Sequence, residues 1–100
     1  MQSPSAITTR HLHITGRVQG VGYRWHMTQQ AQALGIQGWV RNRLDGSVEA
    51  LAHGPADAVQ ALVDWAHQGP AVARVDAVLV SDATQHDCEP LKGFEQRETV

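Results

Sequence analysis

The sequence predicts an α+β fold of order βαββαβ, a four-stranded antiparallel sheet with two helices on one face. Three observations predict it. Two segments with apolar residues at helical spacing, Arg24 to Leu34 and Ala56 to His67, are closed by Gly35 and by Gly69-Pro70. Runs of strand character lie before, between and after them, and Asp45-Gly46 sits where a hairpin must turn. The 100 residues, 42% apolar and 18% charged, suit one globular domain with one core.

Residues 1 to 9, rich in Ser, Thr and Pro, are expected to form a flexible N-terminal segment, leaving 10 to 100 as the domain. His11-Leu12-His13-Ile14-Thr15 alternates polar and apolar as a half-buried strand does. In the first helix Met27, Ala31 and Leu34 form a stripe with Tyr23 ahead of them, and Gly35 is placed as a C-cap. Ile36 to Leu44 and Ser47 to His53 flank Asp45-Gly46, which favours a two-residue type I′ turn. After Gly54-Pro55, the residues Val59, Leu62, Val63 and Ala66 give the second helix one apolar face, ended by Gly69-Pro70. Val72 to Val80 is β-branched and alanine-rich enough for a fourth strand, and a weak strand signal returns from Gly93 to Arg97. This order of elements is the ferredoxin-like, split βαβ arrangement.

Between the first strand and the first helix, Gly16-Arg17-Val18-Gln19-Gly20-Val21-Gly22-Tyr23-Arg24 has the makings of an anion cradle. Glycines let the backbone turn successive N–H groups toward one point, and the following helix adds its own unpaired N–H groups and positive dipole end. Arg24 adds a planar guanidinium, which matches a phosphate or carboxylate through two parallel hydrogen bonds. Eight Lys plus Arg against ten Asp plus Glu give a formal charge of −2, so no broad positive field draws in nucleic acid or an anionic membrane. Any anion must be caught locally. One cysteine, Cys88, cannot form an internal disulfide, and Met1 to Thr9 has no apolar stretch of signal-peptide length, so the expected location is the cytoplasm.

The cradle segment and Gly38-Trp39-Val40-Arg41-Asn42-Arg43-Leu44-Asp45-Gly46-Ser47-Val48-Glu49 closely resemble the two signature motifs of acylphosphatases. The likeness runs from about His11 onward, with Leu34-Gly35-Ile36 joining the motifs and Pro70 through Val78 resembling the segment before strand four. The resemblance implies hydrolysis of the carboxyl-phosphate bond of a small-molecule acyl phosphate. By matching position it gives the phosphate to the backbone amides of Gln19, Gly20, Val21, Gly22 and Tyr23 and to Arg24. Asn42 then positions the attacking water. The family usually has Phe where this chain has Tyr23, a change expected to leave the ring as a packing anchor. A monomer without metal or organic cofactor, nucleic-acid partner or membrane is implied.

These residue types suit the chemistry. The leaving group of an acyl phosphate is a carboxylate whose conjugate acid has a pKa near the roughly 4.3 of a glutamate side chain, so it departs unprotonated. No general acid is needed, and the sequence suggests no paired carboxylates and no Ser-His-Asp set. Positioning and charge stabilisation remain, which preorganised donors supply. An uncharged amide such as Asn42 accepts from water through its oxygen without repelling the phosphate.

Two other functions are weighed against this one. A non-catalytic anion-binding or interaction module of the same fold would keep the cradle with a changed task. An RNA-binding domain on this scaffold would need exposed aromatics on the central strands and a basic face, which one Phe, one Tyr and a charge of −2 argue against. His11 and His13 share a strand face but form a poor metal site without a third ligand. Arg17, Arg41 and Arg43 read as solvated surface charges, and Trp25, Trp39 and Trp65 are expected to pack. Cys88 reads as a bystander.

Overall fold

A computed structural model describes residues 6–84 and 93–100. The elements are β1 (Ile7–Arg17), α1 (Tyr23–Ala33), β2 (Gln37–Asn42), β3 (Val48–Pro55), α2 (Ala56–Gln68), β4 (Arg74–Asp82) and β5 (Phe94–Gln96). The strands form one sheet in the order β4-β1-β3-β2-β5. The expected four strands pair antiparallel, β1 with both β3 and β4, and β2 with β3. The weak signal near residue 94 becomes a fifth strand, running parallel to β2 with Gly38 opposite Phe94, so the sheet is mixed rather than purely antiparallel. Phe94 explains how three residues suffice, because its ring is buried in the core and pins the strand to the otherwise bare edge of β2.

Side-chain alternation sorts the sheet into two faces. Leu12 and Ile14, Val40, and Val48, Ala50 and Ala52 meet Met27 and Ala31 of α1 and Val59, Leu62, Val63 and Ala66 of α2 in one buried cluster. Both helices therefore cover the same face. Complete burial of a side chain such as Leu12 contributes roughly 2–3 kcal/mol over leaving it in water, and this face carries most of the fold's apolar burial. The alternate residues, His11, Trp39, Arg41, Glu49 and Leu51 among them, lie on the other face.

Two strand starts differ from the expectation by two residues or more. β1 starts at Ile7, where Ile7, Thr8 and Thr9 pair with Pro55, Gly54 and His53, and the Ala6 carbonyl accepts the Ala56 N–H. Pairing with β3 holds residues whose own pattern is too polar to announce a strand. β4 begins two residues late, because the chain leaving Gly69-Pro70 makes a turn in which Ala73 N–H donates to the Pro70 carbonyl, and Val72 stays exposed.

The hairpin turn is not type I′. That turn needs φ > 0 at both central residues, and here Gly46 alone has it, at 94°. Gly46 N–H donates to the Arg43 carbonyl and Arg43 N–H to the Ser47 carbonyl, leaving a three-residue loop. Asp45 Oδ1 accepts from both the N–H and the hydroxyl of Ser47, which holds Asp45 at negative φ and lowers its pKa from the usual carboxylate value. Cys88 and His86 lie outside the described residues.

Candidate active site

α1 begins without a conventional cap. Its N-cap is Gly22, in the left-handed region at φ 78° and ψ 17°, and no side chain caps it; its first turn holds no acidic residue. α2 differs, with Asp57 in its first turn accepting the Ala58 N–H. The loop ahead of α1 also has Gly20 at φ 73°. Among the described residues, the N–H groups of Gln19, Gly20, Val21, Gly22, Tyr23 and Arg24 find no acceptor in the protein. A run of unpaired N–H groups at a positive helix end is a site that an anion satisfies.

Neighbouring contacts hold the loop in place. The Gln19 side-chain amide donates to the carbonyls of Arg43 (2.8 Å) and Ser47 (2.9 Å), tying the loop to the base of the β2–β3 hairpin. Tyr23 is buried, its ring 5.3 Å from that of Trp65, and its hydroxyl donates to the Ala66 carbonyl at 2.7 Å. Burial pushes the Tyr23 hydroxyl pKa well above its ordinary value. The carbonyl of Gly22 accepts from both the backbone N–H (3.0 Å) and the ring Nδ1 (2.8 Å) of His26. Start of helix, loop and hairpin thus form one braced unit.

The loop opens on a cavity of about 130 Å³. Val18 and Tyr23 form its buried floor, Gly20, Gly22 and Arg24 line it, and Asn42 enters from the end of β2. Trp25 and Gln96 stand at its exposed rim. Two groups here are unsatisfied. Asn42 Oδ1 is buried and has no hydrogen-bond partner, an arrangement that costs about 1–3 kcal/mol unless a water or ligand fills it. The Arg24 guanidinium, half-buried, makes no hydrogen bond or ion pair among the described residues. The strand end that carries Asn42 is itself fixed, because the Asn42 carbonyl accepts the Val100 N–H and Leu44 N–H donates to the Val100 carbonyl.

The structure brings Arg24, Asn42, Gly20, Gly22 and Tyr23 to one cavity. The side chains of Gln19 and Val21 turn elsewhere, Gln19 to the hairpin and Val21 against the core. Sequence reasoning missed the bracing role of Gln19, since nothing local marks a residue whose partners lie 24 and 28 positions away. It also missed Gln96, which sits on the weakly signalled fifth strand. Trp65 packs as expected, but Trp25 does not: it is 55% exposed.

Arg41 and Arg43 are not free surface charges. On the opposite face of the sheet, Glu49 accepts from Arg41 Nε (2.7 Å), Arg43 (3.0 Å) and His11 Nε2 (2.6 Å). Burial would raise the Glu49 pKa, but hydrogen bonds from His11, Arg41 and Arg43 outweigh it and hold the carboxyl at about 2. Arg41 and Arg97 also stack on the Trp39 ring, at 4.6 and 5.1 Å. No cluster of three His, Cys, Asp or Glu able to hold a metal occurs among the described residues.

Fold and cavity together define an α+β domain whose loop-and-helix cavity gathers the Arg24 guanidinium and the buried Asn42 oxygen. Residues 10–96 match the acylphosphatase family. An acylphosphatase of Acidovorax sp. (strain JS42) is 61% identical over the whole length of both chains. Acylphosphatase structures from Coxiella burnetii and Bacillus subtilis are each 33% identical with TM-scores of 0.83, covering 91% and 92% of this chain and 93% and 99% of theirs. The chain belongs to the acylphosphatase family, hydrolases of the carboxyl-phosphate anhydride bond.

Proposed function

We propose that the chain hydrolyses acyl phosphates with the phosphoryl group held by the amides of Gln19 to Tyr23 and by Arg24, while Asn42 positions the attacking water. The observation that carries this is the pairing, in one cavity, of an unpartnered guanidinium with a buried, unpartnered amide oxygen beside an uncapped helix start. Arg24 and the amides meet the charge spread over the equatorial oxygens, and their fixed geometry avoids reorganisation during the reaction. Asn42 Oδ1 accepts one O–H of the water and directs its lone pair at phosphorus.

As the water oxygen bonds to phosphorus, the bond from phosphorus to the acyl oxygen breaks and its electron pair leaves with the carboxylate. The proton from the water passes to a phosphoryl oxygen, so a dianionic acyl phosphate gives a carboxylate and monoanionic inorganic phosphate. No side chain needs to act as general acid or base, and the chemical step should be flat in rate around neutral pH; a bell set by a histidine pKa would refute this. Residues 10 to 100 act as one domain, and Ile7 to Thr9 extend its first strand by pairing with β3. We place the protein in the cytoplasm as a monomer; among the described residues, no helix is long and apolar enough to cross a membrane.

Hydrolysis of benzoyl phosphate in the presence of a chelator tests the assignment, with Asn42→Ala as the variant and an alkyl phosphate monoester as control. The acyl phosphate alone should turn over, and the variant should lose about 10²-fold or more in kcat. A folded protein that binds inorganic phosphate without turnover would favour a binding module instead.

A further inference from the structure

Trp25 is the exposed aromatic residue of the cavity lining, and phosphate handling gives it no task. It is 55% exposed and stands outside the buried cluster that holds its helix neighbours Tyr23, Met27 and Ala31. It is nevertheless held in place: the His26 ring meets it edge-on at 5.0 Å and 85°, and His26 Nδ1 is itself fastened to the Gly22 carbonyl. An ordered, exposed indole on the wall of an anion site offers a stacking surface to whatever is attached to the anion.

Which part of the substrate reaches it follows from the geometry of displacement. The attacking and leaving oxygens lie roughly in line through phosphorus. With the water at the buried Asn42 oxygen, the leaving acyl oxygen points away from that oxygen and toward the exposed rim. Gly20, Gly22, Gln96 and Trp25 are the exposed residues lining the cavity. Of these, only Trp25 has a large apolar surface.

We propose that Trp25 is the platform for the acyl group and that it makes the site prefer acyl phosphates with a planar aromatic acyl part over those with a small aliphatic one. The proposal rests on the phosphate-site assignment above and deepens it. An offset-stacked ring against Trp25 gains the worth of an aromatic pair, which corresponds to about a fivefold to tenfold gain in binding that an acetyl group cannot match.

The test measures KM and kcat for benzoyl phosphate and acetyl phosphate, with the inhibition constant of inorganic phosphate, in the parent protein and in Trp25→Ala and Trp25→Phe. Trp25→Ala should raise KM for benzoyl phosphate about fivefold to tenfold, with kcat, acetyl phosphate KM and phosphate inhibition within about twofold of the parent. Trp25→Phe should recover most of the benzoyl preference. A parallel loss on both substrates and on phosphate would mark Trp25 as a brace of the helix start and overturn the proposal, as would an unchanged benzoyl KM. A parent protein that turns over neither substrate would instead overturn the phosphate-site assignment, and the proposal with it.

Discussion

Replacing Tyr23 by Phe removes one oxygen atom and separates stability from chemistry at the start of α1. The hydroxyl is buried and donates to the Ala66 carbonyl at 2.7 Å. That carbonyl has no other obvious donor: four residues on stands Pro70, which has no N–H, and Gly69 N–H goes to Trp65. Tyr23 therefore caps the C-terminus of α2 from the start of α1. Phe keeps the ring against Trp65 but leaves the carbonyl buried and unpaired, a loss of about 1–2 kcal/mol.

For a domain of this size that corresponds to a fall in Tm of roughly 5–12 °C, readable by far-ultraviolet circular dichroism, with a lower urea midpoint at unchanged slope. The hydroxyl pKa, raised by burial, adds a pH signature. A group whose folded pKa lies above its unfolded value of about 10 stabilises the fold fully below that pH and progressively less above it. The stability gap between the parent protein and Tyr23→Phe should therefore narrow as pH rises past about 10. Benzoyl phosphate hydrolysis should stay within about twofold, because the ring and the backbone amide are unaltered. An unchanged Tm would show that Ala66 has another donor, and a tenfold loss of kcat would place the hydroxyl in the chemistry; either result refutes the reasoning.

Arg24→Ala should lower kcat/KM for acyl phosphates by at least 10²- to 10³-fold while moving Tm by no more than about 2 °C, since the guanidinium has no partner among the described residues; rate assays and thermal melts on one preparation check both. Gln19→Leu removes two hydrogen bonds to the hairpin and should cost about 1–3 kcal/mol in urea unfolding and weaken inhibition by inorganic phosphate about tenfold, because the cradle is no longer braced. Glu49, held at about 2, stabilises the fold above about pH 4.5, and this contribution disappears as pH falls toward 2. The deficit of Glu49→Gln in urea unfolding, on the order of 2–3 kcal/mol at neutral pH, should shrink over that window; a deficit constant from pH 6 to pH 2 would show that the carboxylate charge is not what matters.

Much of this was legible in local pattern. The stripe of Met27 and Ala31, the alternation around Leu12 and Ile14 and the glycines at 20 and 22 are each set by residues within a few positions, and the structure keeps all of them. Features made by distant partners were not legible. Ile7 to Thr9 become strand because β3 lies alongside, and Phe94 makes a strand because a pocket in the core accepts its ring. The Asp45-Gly46 pair was read through turn statistics, but the Asp45 carboxylate binding Ser47 decided for a three-residue loop. Trp25 was expected to pack because tryptophan usually does. Its exposure depends on where the helix start meets the cavity, which no periodicity encodes.

The charge distribution explains why one arginine of several is suited to the phosphate. Arg41 and Arg43 stand on either side of Asn42 in the chain, yet strand alternation sends both to the face away from the helices, where both pair with Glu49. Arg97, close to the cavity in sequence terms through Gln96, instead pairs with Glu95 and stacks on Trp39. Strand alternation thus keeps two nearby guanidiniums off the cavity, and Arg24 is the cation that lines it. Removing Glu49 would free Arg41 and Arg43 on the wrong side of the sheet, so its effect on phosphate binding should stay small even where its effect on stability is large. Equal inhibition by inorganic phosphate in the parent protein and Glu49→Gln, measured at a pH where both are folded, would bear this out; a tighter constant in the variant would show that the two faces are electrostatically coupled.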